Sequence, residues 1–196
     1  MQNIKFGGSF PGVFQLGYVV EDIHKSMKDL SESIGAGPWY YVDLLTLPNT
    51  FRGRSNTVKL KAAICNSGDM QLELIQQLSE GRSVFADISE HRQYGLHHQA
   101  IAVDNFDSVR QLYLDRGYEE VCFCDVGIYR IAFIDTKGAL PFIVELVEAT
   151  EPLERTCKFV RESARDWDGS EPIRKLPSTL SRRFDELNEM AACRVE

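Results

Sequence analysis

The chain has 196 residues, 43% of them hydrophobic, enough for one well-buried core or for two small half-domains sharing one. Its 22 Lys and Arg against 29 Asp and Glu give a net charge of −7, which argues against nucleic acid or an anionic membrane surface as partner and for a small-molecule substrate. No stretch approaches the roughly 20 apolar residues of a membrane helix, the first residues lack the apolar run of a signal peptide, and Cys65, Cys122, Cys124, Cys157 and Cys193 form no CxxC pair. A cytoplasmic protein with reduced, ordinary buried thiols is expected.

Residues 14–22 read as a strand, Phe14-Gln15-Leu16-Gly17-Tyr18-Val19-Val20, running into the helix cap Asp22. Ile23, Met27, Leu30 and Ile34 then form an apolar stripe at helical spacing, which Gly35 ends. Gly37-Pro38-Trp39-Tyr40-Tyr41 turns into an aromatic strand, residues 49–56 read as a loop with Arg52 and Arg54, and 59–64 is rich in strand formers. After the turn Gly68-Asp69, a closing strand carries Glu73 amid Leu72, Leu74 and Ile75. The first module is thus βαβββ over residues 12–78, followed by a charged connector over 79–94.

The same order returns over residues 95–149. His97-His98-Gln99-Ala100-Ile101-Ala102-Val103 lies 83 positions after the first strand, Asn105 stands where Asp22 stood, and Phe106, Val109, Leu112 and Tyr113 mark a helix over 106–116 before Gly117. Strands over 121–124 and 129–134 follow, and a closing strand carries Glu145 between Val144 and Leu146. Neither module can bury its sheet alone, so the expected α+β fold pairs two βαβββ modules in a curved, cup-shaped mixed sheet with helices on its convex face. The sequence allows that pairing within one chain or between two copies, as a homodimer. Residues 150–196 form a helical extension, with helices expected over 151–166 and 178–190 and turn chemistry between them.

Strand alternation puts Gln15 on one face with Gly17 and Val19, and His98 with Ala100 and Ala102, while the bulkier residues face the helices. A polar residue followed two positions later by a small one, twice, suggests a hollow. Glu73 and Glu145 stand where a sheet interior is ordinarily apolar. Gln15, Glu73, His98 and Glu145 occupy equivalent repeat positions, and pseudo-twofold pairing would bring all four to one point. Their nitrogen and oxygen donors suit one divalent ion such as Zn, Ni, Co, Mn or Fe. Of the two adjacent histidines only one can face the ion on a regular strand, and alignment of the repeats chooses His98. His97, His24 and His91 are read as structural or exposed.

These residues resemble the vicinal-oxygen-chelate superfamily, which includes glyoxalase I, methylmalonyl-CoA epimerase, extradiol dioxygenases and bleomycin-resistance proteins. The resemblance spans residues 13–148 and is most specific at Gln15-Leu16-Gly17-Tyr18-Val19-Val20-Glu21-Asp22, Leu72-Glu73-Leu74-Ile75, Gly95-Leu96-His97-His98 and Val144-Glu145-Leu146. It implies a metal held by Gln15, Glu73, His98 and Glu145, and a glyoxalase-like lyase or isomerase in which Glu145, with Glu73 as the symmetric alternative, moves a proton next to a polarised carbonyl. An acyl-CoA epimerase would ordinarily carry Gln at position 73. An Fe(II) extradiol dioxygenase would need His at position 15, and a ligand-sequestering relative of the bleomycin-resistance kind commonly lacks the ligand set. Trp39, Phe51 and Tyr129 are candidate walls of the substrate pocket, and Arg52 and Arg54 candidate anion contacts.

Overall fold

The computed structural model describes residues 4–87 and 94–192. Residues 88–93 of the expected connector, with His91, lie outside the described residues, as does Cys193. The first half runs β1 (Val13–Val19), α1 (Ile23–Ile34), β2 (Trp39–Phe51), β3 (Arg54–Ser67) and β4 (Met70–Gln77). The second runs β5 (Gly95–Val103), α2 (Phe106–Asp115), β6 (Glu119–Asp125), β7 (Arg130–Asp135) and β8 (Ile143–Glu148). The extension supplies α3 (Glu151–Arg165), β9 (Ile173–Lys175) and α4 (Ser178–Ala192).

The first strand of each half pairs in parallel with the last strand of the same half, β1 with β4 and β5 with β8, and β1 and β5 pair antiparallel with each other. That antiparallel seam is the pseudo-twofold centre. A second seam forms where the end of β2 pairs with β6, Thr50 opposite Phe123 and Phe51 opposite Cys122. With β2 also paired to β3, the eight strands of the two modules close into one ring, in the order β3-β4-β1-β5-β8-β7-β6-β2. The modules therefore pair within the chain, and the cup expected from the sequence is curved far enough to meet itself.

The two module helices lie outside the ring. Ile23 and Met27 of α1 are fully buried against Leu72, Leu74, Ala63 and Cys65, and Phe106, Val109 and Tyr113 of α2 against Ile101, Val103, Val144 and Leu146. Each such side chain contributes about 1.5–3 kcal/mol of apolar burial, and together they fix which face of each strand looks inward. Asp22 caps α1 by accepting from the Lys25 backbone N–H at 3.0 Å, and Gly35 ends it in the left-handed region at φ 66°. Asn105 precedes α2 without a side-chain cap bond.

Two local features depart from the sequence reading. Residues 49–56 are the tip of a long β2–β3 hairpin, with Phe51 paired to Arg54 across Arg52 and Gly53. Both turn residues have positive φ, 47° and 74°, the pattern of a tight hairpin turn that fits the twist of its strands. Arg-Gly carries that turn here in place of the more familiar Asn-Gly, so the hairpin is hard to see in the sequence. The second departure is a bulge in β5. Gly17 faces His98 and Tyr18 faces Leu96, so His97 has no partner of its own and strict alternation fails at the histidine pair.

The extension covers the ring. Leu153, Cys157 and Val160 of α3 are buried, β9 adds in parallel to the start of β2, and α4 packs along β2. Asn188 clips α4 to the irregular stretch of that strand, its Oδ1 accepting from Thr46 N at 2.8 Å and its Nδ2 donating to Leu44 O at 2.7 Å. Arg183 Nε donates to Val126 O at 2.6 Å. The four cysteines among the described residues are buried free thiols.

Candidate metal site and chamber

The interior face of the ring at the central seam carries Gln15 and Gly17 from β1, His98 and Ala100 from β5, Gln71 and Glu73 from β4, and Glu145 from β8. Register makes the two halves complementary. Gly17 lies opposite His98 and Gln15 opposite Ala100, so each small residue makes room for the polar side chain of the neighbouring strand. Gly17 is the tighter case: a Cβ there would lie 1.9 Å from His98 Cε1 and 2.1 Å from Nε2. Glu73 pairs with Gly17 and Glu145 with Ala100, which brings both carboxylates toward the same imidazole.

His98 is fully buried, with Nε2 3.2 Å from Glu73 Oε2 and 3.1 Å from Glu145 Oε2. One atom each from Glu73, His98 and Glu145 lies within 4.8 Å of the others, so these three could hold a metal ion. The bulge gives His97 a part in this. His97 Nε2 lies 2.9 Å from Val84 O, an acceptor only, and must donate to it; His97 Nδ1 then accepts from His98 Nδ1–H, 2.9 Å away. Neutral His98 is left with a lone pair on Nε2 aimed at two carboxylates, acceptor against acceptor. Both His98 Nε2 and Glu145 Oε2 are buried without a hydrogen-bond partner. Such a cluster requires a cation between its members, a proton or a metal, and its nitrogen-and-oxygen donor set fits a borderline divalent ion.

The electrostatics follow the same logic. Burial disfavours an imidazolium at His98, but Glu145 and Glu73 more than offset it and push the pKa up to about 10, so a proton occupies the cation's place when no metal does. Burial raises the Glu73 carboxyl above its ordinary value, against the pull of His98. His97, with no carboxylate beside it, is pushed down to about 3 by burial and by the charge on His98. The histidine pair thus divides into one ring that stays neutral at neutral pH and one that binds a cation.

Around the cluster lies a chamber of about 140 Å³ whose wall includes Gln15, Glu73, Glu145 and Tyr129. Gln15 is buried and its Nε2 donates to Gln71 Oε1 at 2.8 Å, which leaves its carbonyl oxygen as the atom it can offer to an ion. The Tyr129 hydroxyl is held protonated by burial and by the two glutamates, a neutral donor beside the carboxylates. The other sequence candidates lie elsewhere. Trp39 is fully buried in the outer core with α1, its Nε1 donating to Ser31 Oγ at 3.1 Å, because alternation along β2 points it away from the ring interior. Phe51 and Arg52 line a separate hollow at the β2–β3 hairpin, where Arg52 is paired to Asp87 and Glu119, and Arg54 is exposed. Gln71, two positions before Glu73 on the same strand face, was legible from alternation but had no repeat partner to single it out. The extension's share of the wall, Leu153, Thr156 and Cys157 of α3 with Leu176, Leu180 and Phe184, was not singled out as pocket wall in the sequence.

The sequence matches the family model described as glyoxalase/bleomycin resistance protein/dioxygenase superfamily over residues 14–133, more than half of the chain. No curated protein matches it significantly. Among solved structures, methylmalonyl-CoA epimerase from Mycobacterium tuberculosis superposes with a TM-score of 0.51 at 20% identity, over 79% of this chain and 97% of that one. A hypothetical protein from Bacillus halodurans C-125 superposes with a TM-score of 0.52 at 21% identity, over 71% and 94%. At such identities these likenesses speak for the fold, and the chemistry has to be argued from the site itself. The chain belongs to the glyoxalase/bleomycin resistance protein/dioxygenase superfamily.

Proposed function

We propose that the protein is a metal-dependent lyase or isomerase of the glyoxalase-like kind, moving a proton on the carbon next to a carbonyl of a small substrate. The observation that carries this reading is the meeting of Glu73, His98 and Glu145 at one buried point, with His98 Nε2 and Glu145 Oε2 both lacking a partner. A divalent ion held there, with Gln15 as fourth ligand, supplies Lewis acidity that polarises the carbonyl.

The chain's own groups have separate tasks. His97 fixes the His98 tautomer so that Nε2 faces the cluster. Glu145 is the base: its side chain is only 7% exposed, so little water competes with the substrate proton for its Oε2. Glu73, with its side chain 20% exposed, is the symmetric second carboxylate and can return a proton from the other side. Tyr129 donates toward a substrate oxygen, and the apolar wall keeps water from the reacting carbon.

Metal-replete protein incubated in heavy water with hemithioacetals, acyl-CoA epimers and catechols tests the reading. Deuterium incorporated at the carbon next to the carbonyl of substrate or product, lost in Glu145→Gln, is the expected result. Oxygen consumption with a catechol and Fe(II) would replace it with a dioxygenase reading, and tight binding of a ligand without turnover with a sequestering one.

A further inference from the structure

The chamber is built in part by residues outside the region matched to the family. Leu153, Thr156 and Cys157 of α3 and Leu176, Leu180 and Phe184 in and before α4 close it, and α4 is fastened by Asn188 and Arg183. The rest of the wall is mostly aliphatic and aromatic, as at Leu45, Leu60, Ile128 and Ile131, and among the described residues it holds no Lys or Arg. Its charged groups are the two carboxylates of the cluster. A nucleotide or peptide carboxylate brought inside would find no Lys or Arg on the wall to pair with, and away from the cation of the cluster its charge would be buried uncompensated. The cavity volume of about 140 Å³ suits one aromatic ring with a short substituent.

Outside the ion-binding cluster, one amide donor on the chamber wall lacks a strong partner. Gln71 is 4% exposed, its Oε1 accepts from Gln15, and its Nε2 has only the Cys157 thiol, a weak acceptor, beside it, with no hydrogen bond of normal geometry. A buried amide donor left unmade is costly, and a ligand oxygen on the chamber side would satisfy it. The Gln15–Gln71 bond fixes both amides: Gln15 uses its N–H₂ and keeps its oxygen, and Gln71 uses its oxygen and keeps its N–H₂.

Building on the glyoxalase-like reading, we infer that the substrate is a small, uncharged, apolar carbonyl compound of about one ring's bulk, received by Gln71 Nε2 within a chamber closed by α3 and α4, and that carriers such as coenzyme A are excluded. Full-length protein freed of metal is titrated with acetophenone and, separately, with methylmalonyl-CoA, and the methyl resonances of Leu45, Leu60 and Ile131 are followed by NMR. Acetophenone should shift them saturably and methylmalonyl-CoA should leave them in place. Gln71→Leu should weaken acetophenone about tenfold, and Ala62→Trp, which fills the chamber from β3, should abolish its binding with the other methyl resonances retained; should the tryptophan variant not fold, Gln71→Leu decides alone. The inference is overturned if methylmalonyl-CoA shifts these methyls more tightly than acetophenone, if acetophenone shifts none of them, or if Gln71→Leu binds it unchanged. Titration of the same sample with Mn(II) separates the two readings. Broadening around Glu73, His98 and Glu145 reports the metal site, so its absence beside intact acetophenone binding would sink the metal-dependent reading and leave the chamber's preference standing.

Discussion

Gly17→Ala tests the packing of the site at a single methyl group. An added Cβ would meet the His98 ring at 1.9 Å from Cε1, 2.1 Å from Nε2 and 2.5 Å from Nδ1, far inside contact distance. The ring cannot retreat freely, because His97 Nδ1 sits 2.9 Å from its Nδ1 and the Phe133 ring packs edge-on against it with centroids 5.6 Å apart. Overpacking of this kind costs about 1–3 kcal/mol, which for a chain of this length lowers the melting temperature by about 2–4 °C per kcal/mol. Displacing the imidazole also breaks its hydrogen bond to His97, and loss of such an orienting partner weakens metal binding by about 10–100-fold. Thermal unfolding of the metal-free variant and calorimetric titration with Zn(II) read the two effects separately. The sign is decisive. Gly17 sits in an ordinary strand conformation, so if the space were free, alanine would stabilise the strand by about 0.5–1 kcal/mol. A variant more stable than the parent, with unchanged metal affinity, would refute the placement of His98 over Gly17.

Other perturbations address separate groups. His97 has a folded-state pKa of about 3, below the ordinary 6.5; the unfolded chain binds its proton first, so its contribution to stability is full above about 6.5 and falls as the pH drops toward 3. By pH 5 that amounts to a loss of about 2 kcal/mol, and urea unfolding of His97→Gln at pH 7 and pH 5 should show a smaller difference than the parent; an equal difference would mean that His97 titrates normally. Glu145→Gln should keep most of its metal while turnover falls about 10²–10⁴-fold, the range for a lost general base. Glu73→Gln should cost less, and equal large losses in steady-state rates would point to two bases acting on opposite faces of the substrate. Asn188→Ala removes two bonds to the β2 backbone, at a cost of about 1 kcal/mol; hydrogen exchange should quicken at the Thr46 amide and stay slow in β5, and uniform quickening would contradict the local role given to α4.

Much of the architecture was written in the repeat. Gln15 aligned with His98, and Glu73 with Glu145, because each pair has the same place in its module, and the structure draws Glu73, His98 and Glu145 into one cluster across three strands. Helix boundaries followed from apolar spacing and from the Asp22 cap, which acts within a few residues of chain. What escaped the sequence depends on distant partners. Alternation put His97 and His98 on opposite faces, and only the β5 bulge against Gly17 and Tyr18 brings their rings together. Trp39 looked like a pocket wall because aromatic residues serve either face of a strand, and its position under α1 is a fact of packing. The roof of the chamber was out of reach for the same reason: residues 178–190 read as a charged helix, and nothing in them names the surface that helix will cover.

The most direct measurement is the metal content of protein grown with supplemented Zn, Ni, Co, Mn and Fe and purified without chelators, by elemental analysis alongside His98→Ala. About one divalent ion per chain in the parent, absent from the variant, is the predicted result. A parent chain that holds no stoichiometric ion, and whose melting temperature is unmoved by each of the five added in excess, would contradict the assignment of Glu73, His98 and Glu145 as a metal site.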